Sequence, residues 1–302
     1  MRLRPWFLAL IMLGACSAIL GLLEWQRRTR DISDAALLAR LPDKEGSSAY
    51  LNVQALRQSG LLDAIAGNRA EEEADYQAFV RFTGFDYRDD LDAVLAHFSP
   101  DFSLFLMRGR FSWEQIGTFM RAHDARCLNG VCSMRFSRGG FLSAMPLAPD
   151  IIAFGIGGHR TVVYSALQIR ETRKQPPPEP FWIEFSEGFL KSGARLPEGT
   201  RAFASAVAGA RSVFVSVSPN GANLEAMMRA TFSTADEATT HRVLLEENTS
   251  LLQKFFDRDK QKPGQGDIGA MLVSGRFEQQ QGNVIGRWPL DRNLFRRVLE
   301  GN

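Results

Sequence analysis

Cys127-Leu128-Asn129-Gly130-Val131-Cys132 reads as a β-hairpin. Asn-Gly is the strongest short signal for a two-residue turn between antiparallel strands, because both turn positions favour a left-handed backbone. Such a turn sets Leu128 opposite Val131 and Cys127 opposite Cys132. Facing residues in an antiparallel pair lie about 4.5–5.5 Å apart, within disulfide reach. The stretch therefore predicts an antiparallel sheet and a Cys127–Cys132 disulfide, which suits an oxidising compartment. Two free thiols or half of a metal site are the alternatives. Zinc would need further ligands, and no second Cys or His pair lies nearby.

Strand and helix patterns extend outward on both sides of this hairpin. Ala49–Val53, Leu91–His97, Phe102–Phe111, Phe141–Leu147 and Ile151–Ile156 are strand-like, as are Arg211–Ser218, Ala270–Phe277 and Asn283–Leu290. Between them, helical spacing covers Ala55–Ala66, Glu71–Phe82, Ser112–His123 and Asn223–Ala230. Asp34 is a cap candidate for a short helix before Pro42. Two overlapping capping boxes at Ser233–Asp236 and Thr234–Glu237 start a long helix reaching Asp257. Its predicted buried stripe is Leu244/Leu245, Leu251/Leu252 and Phe255/Phe256. Asn293–Leu299 reads as a terminal helix. Strands interspersed with helices define an α+β fold: mixed or antiparallel sheets with helices packed on one face.

The amino terminus carries a different signal. Residues 5–23, PWFLALIMLGACSAILGLL, hold nineteen uncharged positions. As a helix they span roughly 28 Å, close to the bilayer hydrocarbon. Arg2 and Arg4 flank one end, Arg27, Arg28 and Arg30 the other, and Trp6 and Trp25 sit at interfacial depth. The expectation is an uncleaved single-pass transmembrane helix that binds the lipid bilayer through residues 5–23. Leu13-Gly14-Ala15-Cys16 resembles a lipobox, so lipidation at Cys16 is a minor alternative. The chain stays apolar after Cys16, which favours the helix. With the disulfide, the anchor places the soluble body outside the cytoplasm, on the periplasmic side of the cell membrane.

The organisation predicted is an anchor with its flanks over 1–30, a stalk over 31–46, and a first α+β half over 47–174. A proline-rich connector over 175–195 and a second half over 196–302 follow. Gln175-Pro176-Pro177-Pro178-Glu179-Pro180 is the clearest break, since consecutive prolines cannot continue a helix. Faint echoes link the halves: Leu41-Pro42-Asp43 with Leu196-Pro197-Glu198, Gly109-Arg110-Phe111 with Gly275-Arg276-Phe277, and Met145-Pro146-Leu147 with Trp288-Pro289-Leu290. They suggest a duplicated ferredoxin-like module, with Arg110 and Arg276 as equivalent arginines.

Composition narrows the function classes. The 302 residues are 45% hydrophobic and 23% charged, as expected of a folded chain. Thirty-six basic residues against 34 acidic ones leave a formal charge of +2. That balance supplies no field to draw in a polyanion, so nucleic acid is not an expected partner.

No stretch carries a motif for catalysis, metal or cofactor. The four histidines, His97, His123, His159 and His241, lie too far apart for a helical ligand pair. His123-Asp124 has no nucleophile elbow to serve. Gly155-Ile156-Gly157-Gly158-His159-Arg160 follows a strand, yet lacks phosphate-loop spacing and reads as a tight strand-to-strand turn. The acidic run from Gly84 to Asp92 lacks the order of a calcium loop, so Asp89 or Asp90 reads as a helix cap. Glu184 and Glu187 are two carboxylates near Trp182, but sugar hydrolysis needs its carboxylates several ångströms apart across a cleft, a geometry that sequence does not give. Asn248-Thr249-Ser250 matches a glycosylation sequon but lies in the long helix, which argues against its use.

Leu41-Pro42-Asp43 is followed by Tyr50-Leu51-Asn52-Val53 and Leu56-Arg57-Gln58-Ser59-Gly60-Leu61, then by Thr83-Gly84-Phe85-Asp86 and the Gly109-Arg110-Phe111 strand end. This order resembles uncharacterised exported bacterial proteins with a single N-terminal membrane anchor. The resemblance implies anchoring and export and assigns no functional residue. The expected function is a noncatalytic binding or structural envelope protein with an envelope protein partner. The alternative is a membrane-tethered hydrolase, which a cleft combining a buried His or Glu with a nucleophile would favour.

Overall fold

A computed structural model describes residues 33–42, 46–62, 73–135, 139–167, 177–191, 201–221, 223–258 and 271–290. Among these residues, no helix is long and apolar enough to cross a membrane. The segment 5–23 with Cys16, the Leu196-Pro197-Glu198 echo and the predicted helix Asn293–Leu299 lie outside them.

Among the described residues the fold is α+β, built on one antiparallel sheet of twelve strands. The strands are β1 (Ser47–Asn52), β2 (Leu91–Phe98), β3 (Phe102–Gly109), β4 (Arg126–Leu128), β5 (Val131–Arg135) and β6 (Phe141–Ala148). They continue with β7 (Ile151–Gly157), β8 (Phe181–Ser186), β9 (Ser212–Asn220), β10 (Asn223–Thr231), β11 (Arg276–Gln280) and β12 (Asn283–Leu290). The spatial order is β11-β12-β10-β9-β8-β1-β2-β3-β7-β6-β5-β4. The helices are α1 (Asp34–Leu38), α2 (Val53–Gln58), α3 (Ala74–Thr83), α4 (Tyr87–Asp90), α5 (Trp113–Ala122), α6 (Val162–Leu167), α7 (Glu187–Lys191), α8 (Arg201–Ala206) and α9 (Ala235–Arg258).

Read outward from the central β1–β8 pair, the order of the first five strands is the same in both directions, and β5 and β4 extend one side further. One side runs β1-β2-β3-β7-β6 and the other β8-β9-β10-β12-β11. In a ferredoxin-like module a third strand separates the two strands joined by the first helix. Here β1 pairs directly with β2, and β8 with β9, so that module is absent. The tripeptide echoes also fall on unlike positions. Gly109-Arg110-Phe111 closes β3, whereas Gly275-Arg276-Phe277 opens β11, and β10 is the counterpart of β3. Met145-Pro146-Leu147 lies in β6, but Trp288-Pro289-Leu290 ends β12, the counterpart of β7.

Several segments differ in type from their sequence reading; over Ala270–Phe277, read as strand, Met271 and Leu272 are helical and β11 starts only at Arg276. Asn223–Thr231 is strand, although Leu, Glu, Ala, Met and Arg favour helix. Leu224, Ala226, Met228 and Ala230 are buried alternately, and the segment pairs with β9 on one side and β12 on the other. Tertiary pairing overrides propensity there. Phe181–Ser186, read as connector, is β8, the strand that joins the two sides through its pairing with β1.

Helices cover both faces of the sheet, not one. Val53 and Leu56 of α2, Ala206 of α8, and Ala238 and Leu245 of α9 pack with Val213, Leu224, Trp288 and Leu290 in one core. On the same face, Ile116 and Met120 of α5 lie over Cys132, Ala144 and Ile152. The opposite face buries Leu37 of α1 and Val163 and Ala166 of α6 against Leu95, Leu104, Leu106, Ile151 and Ala153. The strands beneath α1 and α6 are apolar on both sides, so each side recruits a cover. Across β10, β12 and β11 the second face carries Glu225, Arg229, Arg287, Arg276 and Glu278, a solvated surface.

Candidate functional site

The glycine run that ends β7 does not make a tight turn into another strand. Its chain turns into α6, which lies back across the strand it leaves. A Cβ on Gly155 would sit 2.7 Å from the Val163 nitrogen, and one on Gly157 would sit 2.8 Å from the Val162 side chain. These glycines therefore admit the close approach of helix and strand. Ser143 on β6 ties the approach together: its hydroxyl donates to the Gly155 carbonyl at 3.3 Å and accepts from the Val163 N–H at 3.0 Å. Beside α6 opens a cleft of about 390 Å³ lined by Asp101, Phe102, His159, Val162 and Ser165. Its size lies at the small end for ligand sites.

Next to this cleft, cross-strand register brings together a second polar group. Glu184, Ser48 and His97 occupy facing positions on β8, β1 and β2. Ser48 Oγ and His97 Nδ1 are 3.2 Å apart. His97 is only 2% exposed and packs on Phe102, whose ring lies 5.9 Å away. Neither Ser48 nor His97 lines the cleft.

A third network holds α1 to the sheet. Asp34 opens α1, and Ser33 rather than Asp34 caps it by accepting from the Ala36 N–H. Tyr50 on β1 donates its hydroxyl to Asp34 Oδ2 at 2.6 Å. Arg108 on β3 pairs with Asp34 Oδ1 at 2.6 Å. Burial first, then the adjacent Asp34 carboxylate, pushes the Tyr50 hydroxyl well above its ordinary range.

Asp86 and Asp90 of the acidic run after α3 are engaged in internal bonds. Asp86, not Asp89 or Asp90, caps α4 by accepting from the Arg88 N–H at 2.9 Å, and it also accepts from Tyr76 Oη at 2.9 Å. Asp90 accepts from the Asp86 N–H at 2.9 Å and pairs with Arg110 at 2.9 Å. Arg57 donates to the carbonyls of Arg88 and Leu91. Among the described residues no cluster of His, Cys, Asp or Glu is arranged to hold a metal ion.

The other sequence candidates are dispersed. Glu187 pairs with Lys191 at 2.5 Å across one turn of α7. His123 contacts the Phe119 carbonyl at 2.8 Å, and His241 the Ala206 carbonyl at 2.6 Å. His241 also stacks on Phe232. Cys127 and Cys132 face each other across β4 and β5, with their sulfurs at disulfide distance, 2.03 Å. Asn129 and Gly130 both have positive φ, as the turn requires.

The long helix departs most from its sequence reading. Leu245 is fully buried, but Leu244 is 40%, Leu251 63% and Phe255 50% exposed. At 100° per residue these three share one side of α9, roughly a quarter-turn from the buried side. They form a partly exposed apolar row, and of the stripe of paired residues predicted from sequence only Leu245 is buried. Seven- and four-residue spacing showed that the row exists, not which of two adjacent stripes meets the sheet.

These features define a class: an α+β protein on a single, wide antiparallel sheet of two like-ordered sides. No family model matches the chain, and no curated protein does. Among solved structures, crystal form III of TP0453 is similar, with a TM-score of 0.51, 10% identity, and coverage of 88% of this chain and 98% of that chain. Crystal form I of TP0453 gives a TM-score of 0.51 at 8% identity, over 87% and 96% of the two chains. At these identities the likeness concerns the fold alone.

Proposed function

We propose that the chain is a membrane-anchored extracytoplasmic protein whose α+β body binds an envelope component without catalysing a reaction. Residues 5–23 hold it in the cell membrane as a single uncleaved pass, and the body lies on the periplasmic side. The uncharged length of that segment and the cysteines at disulfide distance support this placement. The two sides of the sheet descend from a duplicated unit, which the shared strand order supports.

The observation that carries the binding reading is the exposure of Leu244 and Leu251 on one side of α9. Exposed apolar side chains gathered on one side of a helix form a surface suited to a partner. A photo-crosslinking residue placed at Leu251 in intact cells is expected to capture an envelope protein, while the same residue at Arg229 on the solvated sheet face captures none. Absence of adducts at Leu244 and Leu251 alike would remove the basis for this reading.

The hydrolase alternative has one specific feature in its favour, the Ser48–His97 contact. A nucleophile and its base must also meet substrate, and the 2% exposure of His97 works against that. Labelling of Ser48 by a fluorophosphonate would reinstate it.

A further inference from the structure

The two edges of the sheet are built differently. One is β4, three residues long and joined to β5 at Cys127 and Cys132. Short length and a covalent tie blunt an edge against further pairing. The other is β11, five residues in unbroken register with β12, with no proline, lysine or bulge. Among the described residues no strand pairs with its outer side. In the like-ordered arrangement its counterpart is β6, whose outer side does accept a strand, β5.

The chemistry of β11 selects an occupant. Gln281-Gly282 forms a two-residue turn, so Gln280 and Asn283 are the closing, hydrogen-bonded pair. Alternation then directs the N–H and C=O groups of Phe277 and Gln279 outward. A second β11 laid antiparallel can be placed in three registers, with the two-fold axis through Phe277, Glu278 or Gln279. The Glu278 axis sets Glu278 against Glu278 of the partner subunit, a like-charge contact at a close, non-hydrogen-bonded pair. The Gln279 axis sets Glu278 against Gln280 of the partner subunit and gains no ion pair. The Phe277 axis exchanges hydrogen bonds between the two Phe277 residues and sets Arg276 against Glu278 of the partner subunit twice. Opposite charges stabilise a cross-strand pair and like charges destabilise it, so the Phe277 axis is favoured over the other two. Arg276 and Glu278 are exposed side chains on one face of the strand, free to meet across the axis.

We propose that β11 is a dimerisation edge that joins β11 of a second copy of this chain, with Phe277 on the two-fold axis and Arg276 opposite Glu278 of the partner subunit. The contact is isologous and closes at two copies. It is independent of the membrane anchor and of the apolar row on α9.

The test is sedimentation equilibrium of the full chain in detergent, with Glu278→Arg and the double variant Arg276→Glu/Glu278→Arg alongside. The wild-type chain is expected to dimerise. Glu278→Arg places like charges at both pairs and should weaken association by about tenfold. The double variant restores opposite charges and should recover most of the loss. Monomer at every wild-type concentration overturns the proposal. So does a dimer that Glu278→Arg leaves intact, or one that the double variant fails to restore while circular dichroism shows it folded.

Discussion

Asp34, Tyr50 and Arg108 come from three separate elements and meet around one carboxylate. A hydrogen bond to a charged group contributes about 1.5–3 kcal/mol, so Tyr50→Phe should lower unfolding stability by an amount in that range, read from urea denaturation. The same substitution changes the pH dependence. Because the Tyr50 hydroxyl is raised in the folded chain, the folded state holds a proton that the unfolded state releases near pH 10. That stability is complete below the unfolded pKa and is lost as pH climbs past it. Wild-type stability should fall more steeply above about pH 10 than that of Tyr50→Phe. Residues at this scale were legible where chemistry is local. Cys127 and Cys132 could be paired from six residues, because a two-residue turn fixes their register. Tyr50 and Arg108 could not, because which residue faces Asp34 depends on the β1–β2–β3 register and on α1 folding back over the sheet.

At the scale of elements, α9 shows how a correct helix can be given the wrong face. Its capping residues were readable: Thr234 accepts from the Glu237 N–H at 3.1 Å, and Glu237 accepts from the Ser233 N–H at 3.0 Å. Paired apolar residues at seven- and four-residue spacing leave two stripes a quarter-turn apart, and only packing chooses between them. Leu245→Ala should cost about 2–5 kcal/mol, the range for truncating a buried leucine. Leu251→Lys, on the partly exposed row, should change stability by less than about 0.5 kcal/mol. Both are read from thermal or denaturant unfolding, and equal losses at the two sites would mean that Leu251 is not exposed. β10 fails in sequence for a related reason. Glu225 to Ala230 is good helix-forming composition, and only the strands on either side, β9 and β12, hold it extended.

For the whole molecule, strand order repeats outward from β1 and β8, while the tripeptide echoes of the sequence land on unlike strands. The order of the first five strands is shared on the two sides, while the division at the proline-rich run conceals that β8 belongs to the sheet. One core spans both sides, with Val53, Leu56 and Leu91 in the same cluster as Leu224, Trp288 and Leu290. Breaking either side therefore exposes apolar surface on the other. Unfolding should be a single transition, coincident by fluorescence and circular dichroism. The isolated segment 196–302, which lacks β8, should not fold alone. Two separated transitions would show that the sides are independent domains.

Location decides the rest of the account, since a binding role in the envelope requires the body to be there. The most direct measurement is protease digestion of intact spheroplasts, followed by separation of membrane from soluble material and immunodetection at both ends of the chain. The predicted result is that the full chain sediments with membranes and that added protease removes the body while leaving the residue 5–23 segment behind. Full-length chain recovered in the soluble fraction, or a membrane-bound body untouched by external protease, would contradict it.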